Sequence, residues 1–163
     1  MTISESIKNE LYEEKKRITS PFHYKENNGI IIKYIADCNK RKNNDIANMA
    51  KKILLSIQKY SFLEWPKDDE WRSILPKEFI DSFLDPNEED DWTLDDWLYW
   101  LKPENRFWFL WSINEINSNN LEIKIIVYEH PYPWESLEVL FMKLGTSELK
   151  EVDNVLCLKN NFL

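Results

Sequence analysis

The sequence predicts an α+β fold: N-terminal helices followed by a β-hairpin, a helix and a short final strand, packed as one domain. Three observations predict it. Apolar residues recur at helical spacing up to residue 101, the period falls to about two from Arg106 onward, and a segment opened by Pro133 and closed by Gly145 follows. A length of 163 residues fits a single globular domain over 1–163, with a mainly helical part over 1–101 and a ββαβ part over 106–163. A chain of this size buries roughly 70% of its unfolded surface and needs no covalent staple.

Residues 3–18 read as an amphipathic helix with Ile3, Ile7, Leu11 and Ile18 on one face, ended by Pro21. In 30–38, IIIKYIADC, three consecutive isoleucines suit a strand. Ile31, Tyr34, Ile35 and Cys38 follow i, i+3, i+4, i+7, and that spacing favours a helix. Asn44 or Asp45 then caps the clearest helix of the chain, whose stripe is Ile46, Met49, Ala50, Ile53, Leu54, Ile57 and Tyr60. Beyond Pro66 come two short helices, DDEWRSIL and PKEFIDSFL, the second opened by Pro76. The acidic loop DPNEEDD precedes TLDDWLYWL, where Thr93 and Asp96 stand at capping-box spacing and Pro103 closes the helix.

In RFWFLWSI, strand alternation puts Phe107, Phe109, Trp111 and Ile113 on one face and Arg106, Trp108, Leu110 and Ser112 on the other. In LEIKIIVY, Leu121, Ile123, Ile125 and Val127 alternate with Glu122, Lys124, Ile126 and Tyr128. The polar stretch NEINSNN between them reads as a long hairpin loop. PYPWESLEVLFMKLG reads as a helix with Leu137, Leu140, Phe141 and Leu144 inward. A last strand is expected near Val152–Leu158 and could pair with the hairpin.

The net charge of −8 is unevenly spread: residues 1–62 carry +5 and residues 63–163 carry −13. An acidic field disfavours nucleic acid and favours a cationic partner, although solubility alone also accounts for acidity. Two cysteines and no signal peptide point to the cytoplasm, and a Lys-, Asn- and Ile-rich composition to a bacterium. The apolar runs fall far short of the roughly 20 residues of a membrane helix, so no membrane partner is expected.

Chemistry is hard to write with these residues. Two glycines permit no phosphate loop or nucleophile elbow. His23 and His130 have no zinc-ligand spacing, and nothing in the sequence pairs Cys38 or Cys157 with a histidine as a nucleophile. The segment 85–96 places Asp85, Asn87, Glu89, Asp91 and Asp96 at calcium-loop positions, but Asp90 replaces the required glycine and Asp96 the final glutamate. A solvated acidic loop is the better reading. No catalytic, cofactor-binding or metal-binding residue is assigned.

Five of the eight tryptophans lie within residues 92–111. Trp97 and Trp111 fall on apolar faces and read as core. Trp92, Trp100 and Trp108 are candidates for a partner-binding surface, together with the acids Glu88, Glu89, Asp90, Asp91, Asp95 and Asp96. Against this stands a plainer arrangement in which helices cover both faces of the sheet and Trp108 packs beneath one. In size, acidity and lack of catalytic motifs the chain resembles the immunity proteins of bacterial toxin systems. That resemblance implies a non-catalytic cytosolic binder of a protein with a basic surface. The alternative is a small enzyme using carboxylates such as Glu104, Glu115, Glu129 and Glu135, as glycan hydrolases do.

Overall fold

The computed structural model describes residues 4–20, 28–84 and 92–152. The architecture is α+β, with helices packed on a four-stranded antiparallel sheet of order β2-β3-β1-β4. In chain order the elements are α1 (Glu5–Thr19), β1 (Ile30–Asp37), α2 (Asn43–Ser61), α3 (Asp68–Ile74), α4 (Lys77–Asp81), α5 (Leu94–Leu101), β2 (Phe109–Asn117), β3 (Asn120–Val127), α6 (Glu135–Leu144) and β4 (Glu148–Glu151), with a 3-10 turn over Pro103–Asn105.

The helices follow their stripes. α2 buries Ile46, Ala50, Ile53, Leu54 and Ile57, while Met49 and Tyr60 pack half-buried against the same core. α5 opens with the capping box: Thr93 Oγ1 accepts from the Asp96 amide at 3.2 Å, and Asp96 accepts from the Thr93 amide at 2.9 Å. α6 ends at Gly145 with φ of +119°, the left-handed cap that a residue bearing a Cβ adopts only under strain. Its first residue is Glu135, with Pro133 lying before the cap at Trp134.

The expected helix over 30–38 is instead the strand β1. Its side chains alternate, with Ile32, Tyr34 and Ala36 buried, and it lies between β3 and β4. β-Branched isoleucines fit the pleat, and pairing with Leu121–Val127 about ninety residues on overrides the local spacing. The hairpin is also tighter than expected. β2 runs to Asn117 and β3 starts at Asn120, so NEINSNN is mostly strand. Asn117 Oδ1 accepts from the Asn119 amide at 2.8 Å to fix the turn. Among the described residues the last strand is β4 at Glu148–Glu151, which pairs with β1; the strand expected near Val152–Leu158 lies, beyond Val152, outside the described residues.

A register shift between Leu110 and Ser112 changes the faces of β2. Phe109 pairs with Ile126 beneath α1, whereas Leu110 and Ile113 oppose Ile125 and Ile123 in the main core. Phe109 and Ile113 therefore do not share a face. Trp111, at the irregularity, is half-buried with the Arg17 guanidinium 4.9 Å from its ring, and it is not part of the main core.

β2 is an edge strand, and helices occupy parts of that edge. Glu14 on α1 accepts from the Leu110 amide at 2.5 Å, Arg17 Nε donates to the Leu110 carbonyl at 2.9 Å, and Asn43 Nδ2 at the start of α2 donates to the Asn117 carbonyl at 2.5 Å.

Candidate functional site

Two regions carry concentrated side-chain chemistry. The first is the aromatic and acidic face expected around α5. Leu94, Trp97, Leu98 and Leu101 bury one side of that helix. Trp97 donates its indole N–H to the Ser136 carbonyl at 3.0 Å. On the border of this buried side, Trp92 and Trp100 are half-buried and stack on each other, 6.5 Å apart at 22°. Tyr99, 52% exposed, meets Trp100 edge-on at 5.5 Å. Asp95 and Asp96 are exposed: Asp95 lies 3.8 Å from Arg72 Nη2, and Asp96 is held by the helix cap. Glu88, Glu89, Asp90 and Asp91 lie outside the described residues, as do Asp85 and Asn87 of the calcium-type pattern.

Trp108 does not belong to this surface. It is 2% exposed, and its indole N–H donates to Ser136 Oγ at 2.8 Å. Two indoles from different segments thus converge on one buried serine of α6, through its carbonyl and its hydroxyl. The expected face for Trp108 rests on regular alternation from residue 106. That alternation holds, with Trp108 and Leu110 together in the main core and Phe109 in the cluster under α1; the face carrying Trp108 is one that helices cover, the plainer arrangement of the two expected.

The second region is a cleft of about 800 Å³ between α1, the segment before β2 and the end of β3. Ile7, Phe107, Phe109 and Tyr128 give it apolar walls, and Glu10, Glu104 and Glu129 bring carboxylates to it. Below it lies a buried polar network that sequence reasoning missed, because Glu14 and Arg17 look like solvent-facing charges of an amphipathic helix. Glu14 is fully buried and accepts from Gln58 Nε2 at 2.6 Å and Arg106 Nη2 at 2.8 Å, besides the Leu110 amide. Arg106 also donates to the Trp108 carbonyl from Nε at 3.2 Å and Nη2 at 3.0 Å. Among the described residues its Nη1 has no hydrogen-bond acceptor, but the guanidinium lies 5.1 Å from the Trp108 ring and 4.7 Å from the Phe109 ring, whose faces carry negative potential. Arg17 Nη2 meets Glu10 at 3.2 Å, and the Tyr128 hydroxyl donates to Glu10 as well. Burial pushes the Tyr128 hydroxyl well above the usual tyrosine range; the hydrogen bond to Glu10 and its charge add to this, and Arg17 opposes it.

The other residues weighed for chemistry are scattered. Glu115 is exposed on β2, and Glu135 opens α6. Glu138 is the carboxyl that burial, and then Glu135, pushes upward, and it does not line the cleft. The Cys38 thiol is buried and pushed up by desolvation first and Asp37 second, opposite to what a nucleophilic thiolate needs. His23 and Cys157 lie outside the described residues. Among the described residues, no three His, Cys, Asp or Glu side chains are grouped to hold a metal ion, and no helix is long and apolar enough to cross a membrane. Compared with protein-family models, with curated proteins and with solved structures, the chain shows no match.

Proposed function

We propose that this chain is a non-catalytic, cytoplasmic protein-binding protein, of the kind that neutralises a basic bacterial toxin as immunity proteins do. The observation that carries the reading is the Trp92–Trp100 stack. Two large aromatic side chains are held on the core yet left half-exposed, with Tyr99 edge-on to Trp100. Aromatic side chains anchored on a rigid helix serve as binding hot spots at low entropic cost, and neighbouring acids steer a basic partner toward them. Seven acids within residues 85–96, with no base among them, supply that field. The test is the association of the purified chain with basic proteins encoded beside its gene. A saturable complex that Trp100→Ala weakens supports the reading, and a complex indifferent to Trp92→Ala and Trp100→Ala removes it.

A small carboxylate-dependent enzyme is the second reading, favoured by the cleft. Glu10 is engaged by Arg17 and Tyr128, which leaves Glu104 and Glu129 for the two carboxylate roles of glycoside hydrolysis. Release of aryl alcohol from a panel of chromogenic glycosides, lost in Glu104→Gln and in Glu129→Gln, is the result that reading requires.

A further inference from the structure

We infer that the cleft beneath α1 is a binding site for an organic cation, an ammonium or guanidinium group carried on an apolar stem. This inference stands independently of the docking face around Trp92 and Trp100. Its volume of about 800 Å³ is that of a small-molecule site. The charges around it do not cancel. Arg106, the cation in its wall, is matched by the fully buried Glu14, and Glu10 is matched by Arg17. Glu104 and Glu129 remain: both are exposed, both line the cleft, and neither has an ion pair or hydrogen bond among the described residues. Among the described residues, the cleft therefore carries two carboxylates without a paired cation.

The lining of the cleft also includes aromatic side chains. Phe107 is 37% exposed and Tyr128 46% exposed, both on the cleft, although each has enough apolar surface to favour burial. The faces of these rings attract a cation within about 6 Å, and more strongly as it sheds water. Tyr128 is also braced, since its hydroxyl is tied to Glu10 and its ring cannot swing freely away. Carboxylates for the charge and aromatic faces for the stem favour an alkyl-ammonium or alkyl-guanidinium over an anion. Such a group reaches the cleft either as a free amine or as a lysine or arginine side chain of a protein.

Two probes separate these sources: agmatine, and Nα-acetyl-arginine methylamide, whose ends are blocked as in a polypeptide. Titrating each into the full-length protein, with amide shifts followed by NMR, should give saturable changes at Phe107, Tyr128 and Glu129. Isoamyl alcohol, an uncharged stem, should give none. Glu104→Gln combined with Glu129→Gln should weaken binding at least tenfold, whereas Glu115→Gln, an exposed acid outside the cleft, should leave it unchanged. Phe107→Ala should weaken it as well. Thermal melting of each variant checks that the fold persists, as expected for exposed positions. Tighter binding of agmatine assigns the site to a free amine, and tighter binding of the blocked arginine assigns it to a protein side chain. Absence of saturable shifts with both probes, or equal affinity in the double glutamine variant, overturns the inference.

Discussion

At the scale of single residues, the buried charges of α1 set the largest expected effects. Glu14 receives three hydrogen bonds, and its removal strands the Arg106 guanidinium away from water. Breaking a buried pair from one side costs about 3–5 kcal/mol. Glu14→Ala is therefore expected to lower the urea midpoint by an amount matching that loss, and a shift corresponding to less than about 1 kcal/mol would contradict the network. Ile53→Asp places an unpaired charge in the middle of the α2 stripe, where Ile53 is fully buried. The cost is several kcal/mol, set against a total stability on the order of 5–15 kcal/mol, so the variant is expected to lose its cooperative thermal transition. A third residue-scale effect depends on pH. Tyr34 and Tyr132 share a buried hydrogen bond of 2.5 Å, and burial pushes both hydroxyls upward, with that bond adding to the rise at Tyr34. The unfolded phenol titrates near pH ~10. The folded state holds its protons more tightly, so this contribution is fully present below about pH 10 and is lost as the pH rises beyond it. Denaturation midpoints measured from pH ~8 to ~11 should fall at the alkaline end, and less steeply in Tyr34→Phe.

At the scale of elements, the capping chemistry makes separate predictions. Thr93→Ala removes the acceptor for the Asp96 amide and is expected to cost about 1 kcal/mol, with loosening of the turn that leads to Trp97 and Trp100. Gly145→Ala meets a backbone at φ of +119° and places a Cβ 3.1 Å from Arg41 Cδ, so a loss of about 1 kcal/mol or more is expected in the same denaturation assay. These elements were legible in the sequence because their signals are local: the α2 stripe, the Thr93–Asp96 spacing, the Gly145 cap and the alternation of β3. What escaped was set by distant partners. β1 reads as a helix until β3 supplies its register. The irregularity at Trp111 reverses the faces of β2 and has no signature in RFWFLWSI. Trp108 reads equally as surface or as packed beneath a helix until Ser136 is placed beside it. Of the candidate site, the sequence singles out Trp92 and Trp100 as surface candidates but not their stacking, because Trp92 lies before the cap and helical spacing does not place it. The cleft gathers α1, Glu104 and Glu129 from three separate segments and was not legible.

At the scale of the whole molecule, charge is segregated along the chain, and the docking reading predicts a division of labour. Neutralising Glu88, Glu89, Asp90 and Asp91 should slow association with a basic partner and flatten its salt dependence. Replacing Trp92 or Trp100 by Ala should speed dissociation by up to about 30-fold, the equivalent of a ~2 kcal/mol hot spot. Stopped-flow mixing at two ionic strengths separates the effects, and dissociation rates unmoved by both tryptophan variants would place the contact elsewhere. The links between α1 and the edge of β2 also bear on how the chain is made. Glu14 and Arg17 find their partners 92 to 96 positions later, at Arg106 and Leu110. At about 5–20 residues per second of synthesis, roughly 5–20 s separate the appearance of α1 from that of its mates. Until then the Glu14 carboxylate lacks its guanidinium partner and keeps its water, while Arg17 has only Glu10 of its own helix. The Glu14 side of α1 must therefore wait, hydrated, until Arg106 and β2 have been made, and only then can it be sealed into place.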